Sequence, residues 1–363
     1  MRGQKRIRDY GIKIGELEPG KLNAITDIQG ISVGHQTMDH DCAKTGVTVV
    51  IPSKLNIFKN KLLAACNVIN GFGKSIGTVQ IEELGTLETP IAMTNTLSTG
   101  IVTDALVQYM LENNPDIGLE TGTVNPVVCE CNDGNLNHIR KSNVKQKDLY
   151  DAIENAEVEF LEGDVGAGKG MRCLGLKGGI GTSSRVLHFD EKPYHVGALV
   201  LSNFGTLKDL VVDGIPAGKI ILNQMKMEDH PIKEQGSIIT LIATDIPLSE
   251  RQLKRMAKRA SIGIIRTGGY IASGSGEIAF AFTTANQVSH EMKDDLIDIR
   301  MLHEDNLNLV FRAVADSVEE SILNSMVCAK TTVGRDGNTA ISLSEYMEEI
   351  LKFRQDERET VNL

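Results

Sequence analysis

The chain has 363 residues, 41% of them hydrophobic, enough for a large buried core. Its formal charge of −10 argues against a nucleic acid or an anionic membrane as partner, because no basic face is implied. No run of about 18 apolar residues occurs, and no apolar stretch follows the basic N-terminal segment, so a soluble, cytoplasmic protein without a signal peptide is expected.

In chain order, 31–35 and 47–51 read as short β pieces separated by turn residues. Residues 64–69 and 89–95 continue the pattern around a Gly-rich turn. Helical spacing at Ile101, Ala105, Leu106, Tyr109 and Met110 predicts a helix that ends before Pro115. A second helix is expected over 147–159, with Asp148 in its first turn. The six cysteines (Cys42, Cys66, Cys129, Cys131, Cys173, Cys328) are expected as reduced thiols. Cys129 and Cys131 form a C-x-C pair. With no second Cys or His pair at ligand spacing, they read as buried small residues rather than a metal site.

Residues 163–170 nearly match a phosphate loop but lack its final Ser or Thr, so a Gly-rich connection near a cleft is the better reading than nucleotide binding. Residues 196–202 read as a buried strand ending at Asn203. A polar loop over 223–235 stops at Gly236. Ser237 and an apolar, partly β-branched run follow as another buried strand. Ser249 opens a helix with Gln252 at capping-box spacing and an apolar face of Leu253, Met256, Ala257 and Ala260. Residues 278–282 form a further strand. Leu307, Val310, Phe311, Val314, Val318 and Ile322 line a long helix, and a last helix is expected over 343–353. With no repeat or linker, the whole of 1–363 reads as one α/β (α+β) layered domain, a sheet core covered by helices.

Four polar groups fall at strand ends. A serine after Gly236 could attack the Gly236 carbonyl, cut the chain and become a new N-terminus. Its α-amine, with an unperturbed pKa of about 7.7–8.0, would then serve as base. The same residues also fit a plain loop entering a strand. Ser275 and Glu277 stand two apart, so in an extended chain both face one side. They could orient a hydroxyl and hold an amine. Asn203 could offer an amide N–H to an oxyanion, a contact that contributes about 3–4 kcal/mol to a transition state.

These motifs resemble the self-processing L-aminopeptidase/D-amidase-esterases and β-aminopeptidases. The matching stretches are 26–35, 70–74, 83–85 running to 90–91, 94–96, 125–128, 177–185, 203–205, the run after Gly236-Ser237, and 274–277. The resemblance implies an αββα sandwich like that of N-terminal nucleophile hydrolases with different connectivity. It implies autocatalytic cleavage into fragments 1–236 and 237–363, with Ser237 as nucleophile, Ser275 and Glu277 as its orienting partners and Asn203 in the oxyanion hole. It implies a homotetramer of processed protomers, no metal or cofactor, and short peptides, aminoacyl amides or esters as substrates. One position departs from the family: Asn135 stands where family members carry a Tyr whose hydroxyl helps the oxyanion site. Glu130 and Asp133 nearby could receive the substrate's ammonium group. The alternative is a non-hydrolytic ligand-binding or scaffold relative of the same fold.

Overall fold

The computed structural model describes residues 3–40, 43–225 and 236–361. Cys42 and most of the polar loop expected over 223–235 lie outside the described residues.

Strands β1 (Ser32–His40) and β2 (Ala43–Ile51) pair as a hairpin. β3 (Asn60–Gly71), α1 (Thr78–Leu84), β4 (Thr86–Leu87) and β5 (Ile91–Asn95) follow, then α2 (Thr99–Asn113), β6 (Val127–Cys131) and α3 (Gln146–Glu154). A short pair, β7 (Arg172–Cys173) and β8 (Leu176–Lys177), precedes the long strands β9 (Gly179–Phe189) and β10 (Lys192–Asn203). After α4 (Ala217–Met225) come β11 (Ser237–Thr244), α5 (Glu250–Ala257), α6 (Ala260–Arg266), β12 (Gly276–Ser289), α7 (Leu307–Val327) and α8 (Met347–Val361).

Two sheets form, in the orders β1-β2-β5-β6 and β4-β3-β12-β11-β10-β9. The alternation of side chains along each strand sends one set to each face. Leu199, Leu201, Ile239, Leu241, Ile278 and Phe280 of the larger sheet meet Val50, Ile91, Met93, Val127 and Cys129 of the smaller one. The opposite face of the larger sheet, with Val200, Ile242 and Ala279, packs on Leu253, Met256, Val314, Val318 and Ile322 of α5 and α7. The outer face of the smaller sheet, with Val47, Val49 and Val128, packs on Val102, Leu106 and Leu149 of α2 and α3. The layers therefore run helix, sheet, sheet, helix, as expected.

The second expected helix stops at Glu154, short of 159. Beyond it Glu157 exchanges backbone hydrogen bonds of 2.9 and 3.1 Å with Val33 of β1. The apolar face begun at Leu253 is shared between two helices, α5 and α6. The last helix begins with a 3-10 turn at Leu343–Tyr346 and runs on to Val361. No described helix is long and apolar enough to cross a membrane.

One buried charge cluster ties the N-terminal segment to this frame. Glu320 on α7 accepts from Arg185 Nη2 at 2.7 Å and from Arg8 Nε at 2.8 Å, and Arg185 and the Glu320 side chain are fully buried. Removing the carboxylate would strand a buried guanidinium. Glu320→Ala is therefore expected to destabilise the fold by about 3–5 kcal/mol, read as a shift in urea midpoint.

Candidate active site

The site is built where three adjacent strands of the larger sheet end or begin together. Ser237 opens β11 and is paired on both sides: with Asn203, the last residue of antiparallel β10, and with Gly276, the first residue of parallel β12. Ser237 is buried, at 6% exposure. Its hydroxyl donates to the carbonyl oxygen of Gly236 at 2.7 Å. The Gly276 N–H is shared between the Ser237 Oγ at 3.2 Å and the Gly236 oxygen at 3.3 Å. Gly236 must lack a side chain here, because a Cβ would stand 2.3 Å from the Asn203 oxygen and 2.7 Å from the Phe204 Cα. A hydroxyl, the carbonyl it could attack and an N–H aimed at that carbonyl's oxygen thus share one small volume.

The flanking groups are held firmly. The Asn203 amide oxygen accepts from the Arg172 N–H at 2.9 Å, and its nitrogen donates to the Asn132 oxygen at 3.1 Å. Those two bonds set the amide's orientation and leave one N–H proton to spend elsewhere. Ser275 donates to the Glu277 carboxylate, with the Ala272 carbonyl as a second acceptor at 2.9 Å. Both are buried. The spacing of two residues brings them together as expected, one step from Gly276.

The end of β6 passes over this mouth. Glu130 accepts from the Lys74 N–H at 2.8 Å and from the Thr96 hydroxyl. A Cβ on Gly73 would lie 3.8 Å from both Glu130 Oε1 and the Gly276 Cα, so Glu130 sits over the β12 side of Ser237. Two residues on, Asn132 touches Asn203 on the β10 side. Asn135 is exposed, and its side-chain oxygen accepts from Arg172 Nη1 at 3.2 Å.

The glycine-rich stretch 163–170 takes no phosphate-loop form: Lys169 pairs with Asp39 at 2.7 Å and Asp164 at 2.9 Å. Its neighbour Lys177, fully buried, donates to the carbonyls of Gly168, Met171 and Gly178 and so anchors the segment that leads to Arg172. Cys129 and Cys131 are buried on β6, with both thiol pKa values raised by burial. Sequence reasoning missed two groups, Gly276 and Arg172. Gly276 lay between two chosen residues, but its role depends on parallel pairing with Ser237. Arg172 is reached only through the turn that carries it to Asn203.

The sequence profile of peptidase family S58 matches residues 23–340. The β-peptidyl aminopeptidase BapA of Sphingosinicella microcystinivorans is 37% identical over 92% of this chain and 88% of its own. Among solved structures, the PH0078 protein of Pyrococcus horikoshii OT3 superposes with a TM-score of 0.90 at 45% identity, covering 96% of this chain and 99% of its own. The L-aminopeptidase D-Ala-esterase/amidase of Ochrobactrum anthropi, described as a prototype for the serine aminopeptidases and a new variant of the Ntn hydrolase fold, gives 0.87 at 33% identity. It covers 96% of this chain and 99% of its own.

Asp133, like Glu130, is buried, but both its oxygens accept from the Asn137 amide, at 3.0 and 3.1 Å. Burial pushes its carboxyl up to about 7, against the lowering effect of hydrogen bonds from Thr45 and Asn137. An acid whose folded pKa is raised keeps its proton in the fold when the unfolded chain has lost it. Stability is therefore lost as pH rises from about 4, the unfolded value, through 7. Asp133→Asn is expected to remove a pH dependence of roughly 2–4 kcal/mol across that window, measured as urea midpoints of both proteins at pH 5 and pH 8.

Proposed function

From the premise that this chain belongs to peptidase family S58, and is a hydrolase of the aminopeptidase class, we propose that it cuts itself between Gly236 and Ser237 and uses the freed Ser237 as nucleophile. The observation that carries the reading is the Ser237 hydroxyl 2.7 Å from the Gly236 oxygen, with the Gly276 N–H beside both. In self-cleavage the Ser237 Oγ bonds to the Gly236 carbonyl carbon. The C–N bond to Ser237 breaks, and the hydroxyl proton ends on the departing amine. Water then hydrolyses the ester, leaving a Gly236 carboxylate and a Ser237 α-amine. The charge that develops on the Gly236 oxygen is met by the Gly276 N–H, an oxyanion donor that is already in place.

Turnover follows the same route on a substrate. The α-amine takes the Ser237 hydroxyl proton, and the hydroxyl attacks the first carbonyl of a short peptide, amide or ester. The amine then protonates the leaving group, and water releases the acyl residue. Ser275 and Glu277 hold the amine, while Asn203 and the Gly276 N–H stabilise the oxyanion. Glu130, oriented by Lys74 and Thr96, receives the substrate's ammonium group over the β12 side. Asp133 supports the turn beneath rather than the amine. Asn135 replaces a phenol with a shorter amide at the rim and so adjusts substrate preference. No observation favours a binding-only relative.

The strands on either side of the cut share one sheet, which supports a single domain made of fragments 1–236 and 237–363. The described cysteines are free thiols, in keeping with the cytoplasm. Between β12 and α7, Met292, Leu296, Ile297, Ile299 and Met301 expose a run of apolar side chains. Such a surface suits association into a homotetramer.

Freshly purified protein is expected to separate into two species on denaturing mass analysis, broken between Gly236 and Ser237. Ser237→Ala should stay a single, inactive chain of 39.5 kDa. A cleaved and active Ser237→Ala protein would falsify the assignment. If the α-amine is the base, kcat/KM should rise with pH through an apparent pKa of about 7–8, because only the neutral amine accepts the proton.

A further inference from the structure

Among the described residues, Arg172 is a cation without a counter-ion, on the segment that holds Asn203. Its backbone N–H fixes Asn203, the residue paired with Ser237, at 2.9 Å. Its guanidinium donates from Nη1 to the Asn135 side-chain oxygen at 3.2 Å and from Nη2 to the Gly175 carbonyl at 3.0 Å. Neither acceptor is charged. No carboxylate lies within ion-pair distance of it among the described residues, although most of their other partly buried cations have one. The buried Nε has no hydrogen-bond partner among the described residues. A guanidinium carries five N–H protons. Two are used among the described residues, which leaves Nε and one proton on each terminal nitrogen. Burial lowers its pKa. A partly desolvated guanidinium with a free fork is built to accept a carboxylate in two parallel hydrogen bonds.

Position decides which carboxylate. Glu130 lies over the β12 side of Ser237, and Arg172 is tied to β10 on the other side. Two strand spacings, roughly 10 Å, separate those flanks. A dipeptide spans at most about 7 Å, and the side chains of Glu130 and Arg172 can close the remainder. With the ammonium at Glu130 and the reacting carbonyl at Ser237, the departing residue points toward β10.

We propose that Arg172 binds a carboxylate on the leaving residue of the substrate, so that zwitterionic dipeptides are the preferred class. The inference rests on the catalytic reading above, with Glu130 as the ammonium site. The carboxylate is either the dipeptide's own C-terminus or an acidic side chain there, and the chemistry recognised is the same.

The test uses one N-terminal residue that the wild-type enzyme releases from a p-nitroanilide. It is placed in three matched substrates: Xaa-Ala with a free C-terminus, Xaa-Ala amide, and Xaa-Asp amide. In the wild-type enzyme, amidating Xaa-Ala is expected to raise KM about tenfold. Recovery with Xaa-Asp amide would show that a side-chain carboxylate also serves, and no recovery would assign the site to the C-terminus. Arg172→Gln should bring the acid-to-amide ratio of kcat/KM close to one, and Arg172→Lys should retain part of it. Equal wild-type rates on acid and amide would overturn the proposal. So would an Arg172→Gln enzyme that loses activity on both while keeping their ratio, because a merely structural residue acts that way. A wild-type enzyme that turns over no substrate, the p-nitroanilides included, would instead sink the catalytic reading and this inference with it.

Discussion

The first residue of β11 is hydrogen-bonded to a strand on each side, and the rest of the site depends on that placement. A residue at the edge of a sheet can move, but one between two ladders cannot. Asn203 and Gly276 are delivered to Ser237 by strand register alone. The parallel pairing with β12 also aims the Gly276 N–H at the Gly236 oxygen rather than across the sheet. The rigidity comes from the apolar layers on both faces, where Ile238 and Ile242 pack toward the helices and Ile239 and Leu241 toward the second sheet. Preorganised dipoles in such a setting need no rearrangement when charge develops.

Charge is distributed by the same geometry. Glu130 and Asp133 stand three residues apart on one short segment, both buried, with different partners. Glu130 is bonded from Lys74 and Thr96 beside the mouth, whereas Asp133 is enclosed with Asn137 under the turn. On the far flank Arg172 has only neutral acceptors among the described residues. The contrast with Arg185 is instructive: it is the more deeply buried guanidinium, yet Glu320 compensates it. A buried cation with a carboxylate holds a fold together, whereas a half-buried guanidinium with no carboxylate among the described residues offers a place for an anion.

Much of this was legible in the sequence. The Gly236-Ser237 junction, the i, i+2 spacing of Ser275 and Glu277, and Asn203 at a strand end each placed a polar group at the edge of an apolar run. The layered fold followed from the alternation of strand and helix patterns. What stayed hidden was non-local. β9 reads as glycine and hydroxyl residues, not as a strand, because its Ser183 and Gly181 pack directly against α7. The end of α3 was overestimated because its pattern continued, while backbone pairing of Glu157 with Val33 ended the helix. Arg172 and Gly276 could not be chosen, since nothing along the chain says that 172 meets 203 or that 276 meets 237.

The order of strands has one further consequence. β11 and β12 lie between β3 and β10, so the two strands after the junction are wedged into a sheet whose flanks precede it. Before a cut at 236–237, refolding is a unimolecular search by one chain. After it, the same sheet has to be assembled from two molecules that must find each other, and recovery becomes bimolecular and dependent on concentration. The mature protein would then resist unfolding through its core but recover from it poorly in dilute solution. Its working lifetime would be set by how slowly the wedge leaves, not by the equilibrium between folded and unfolded chains.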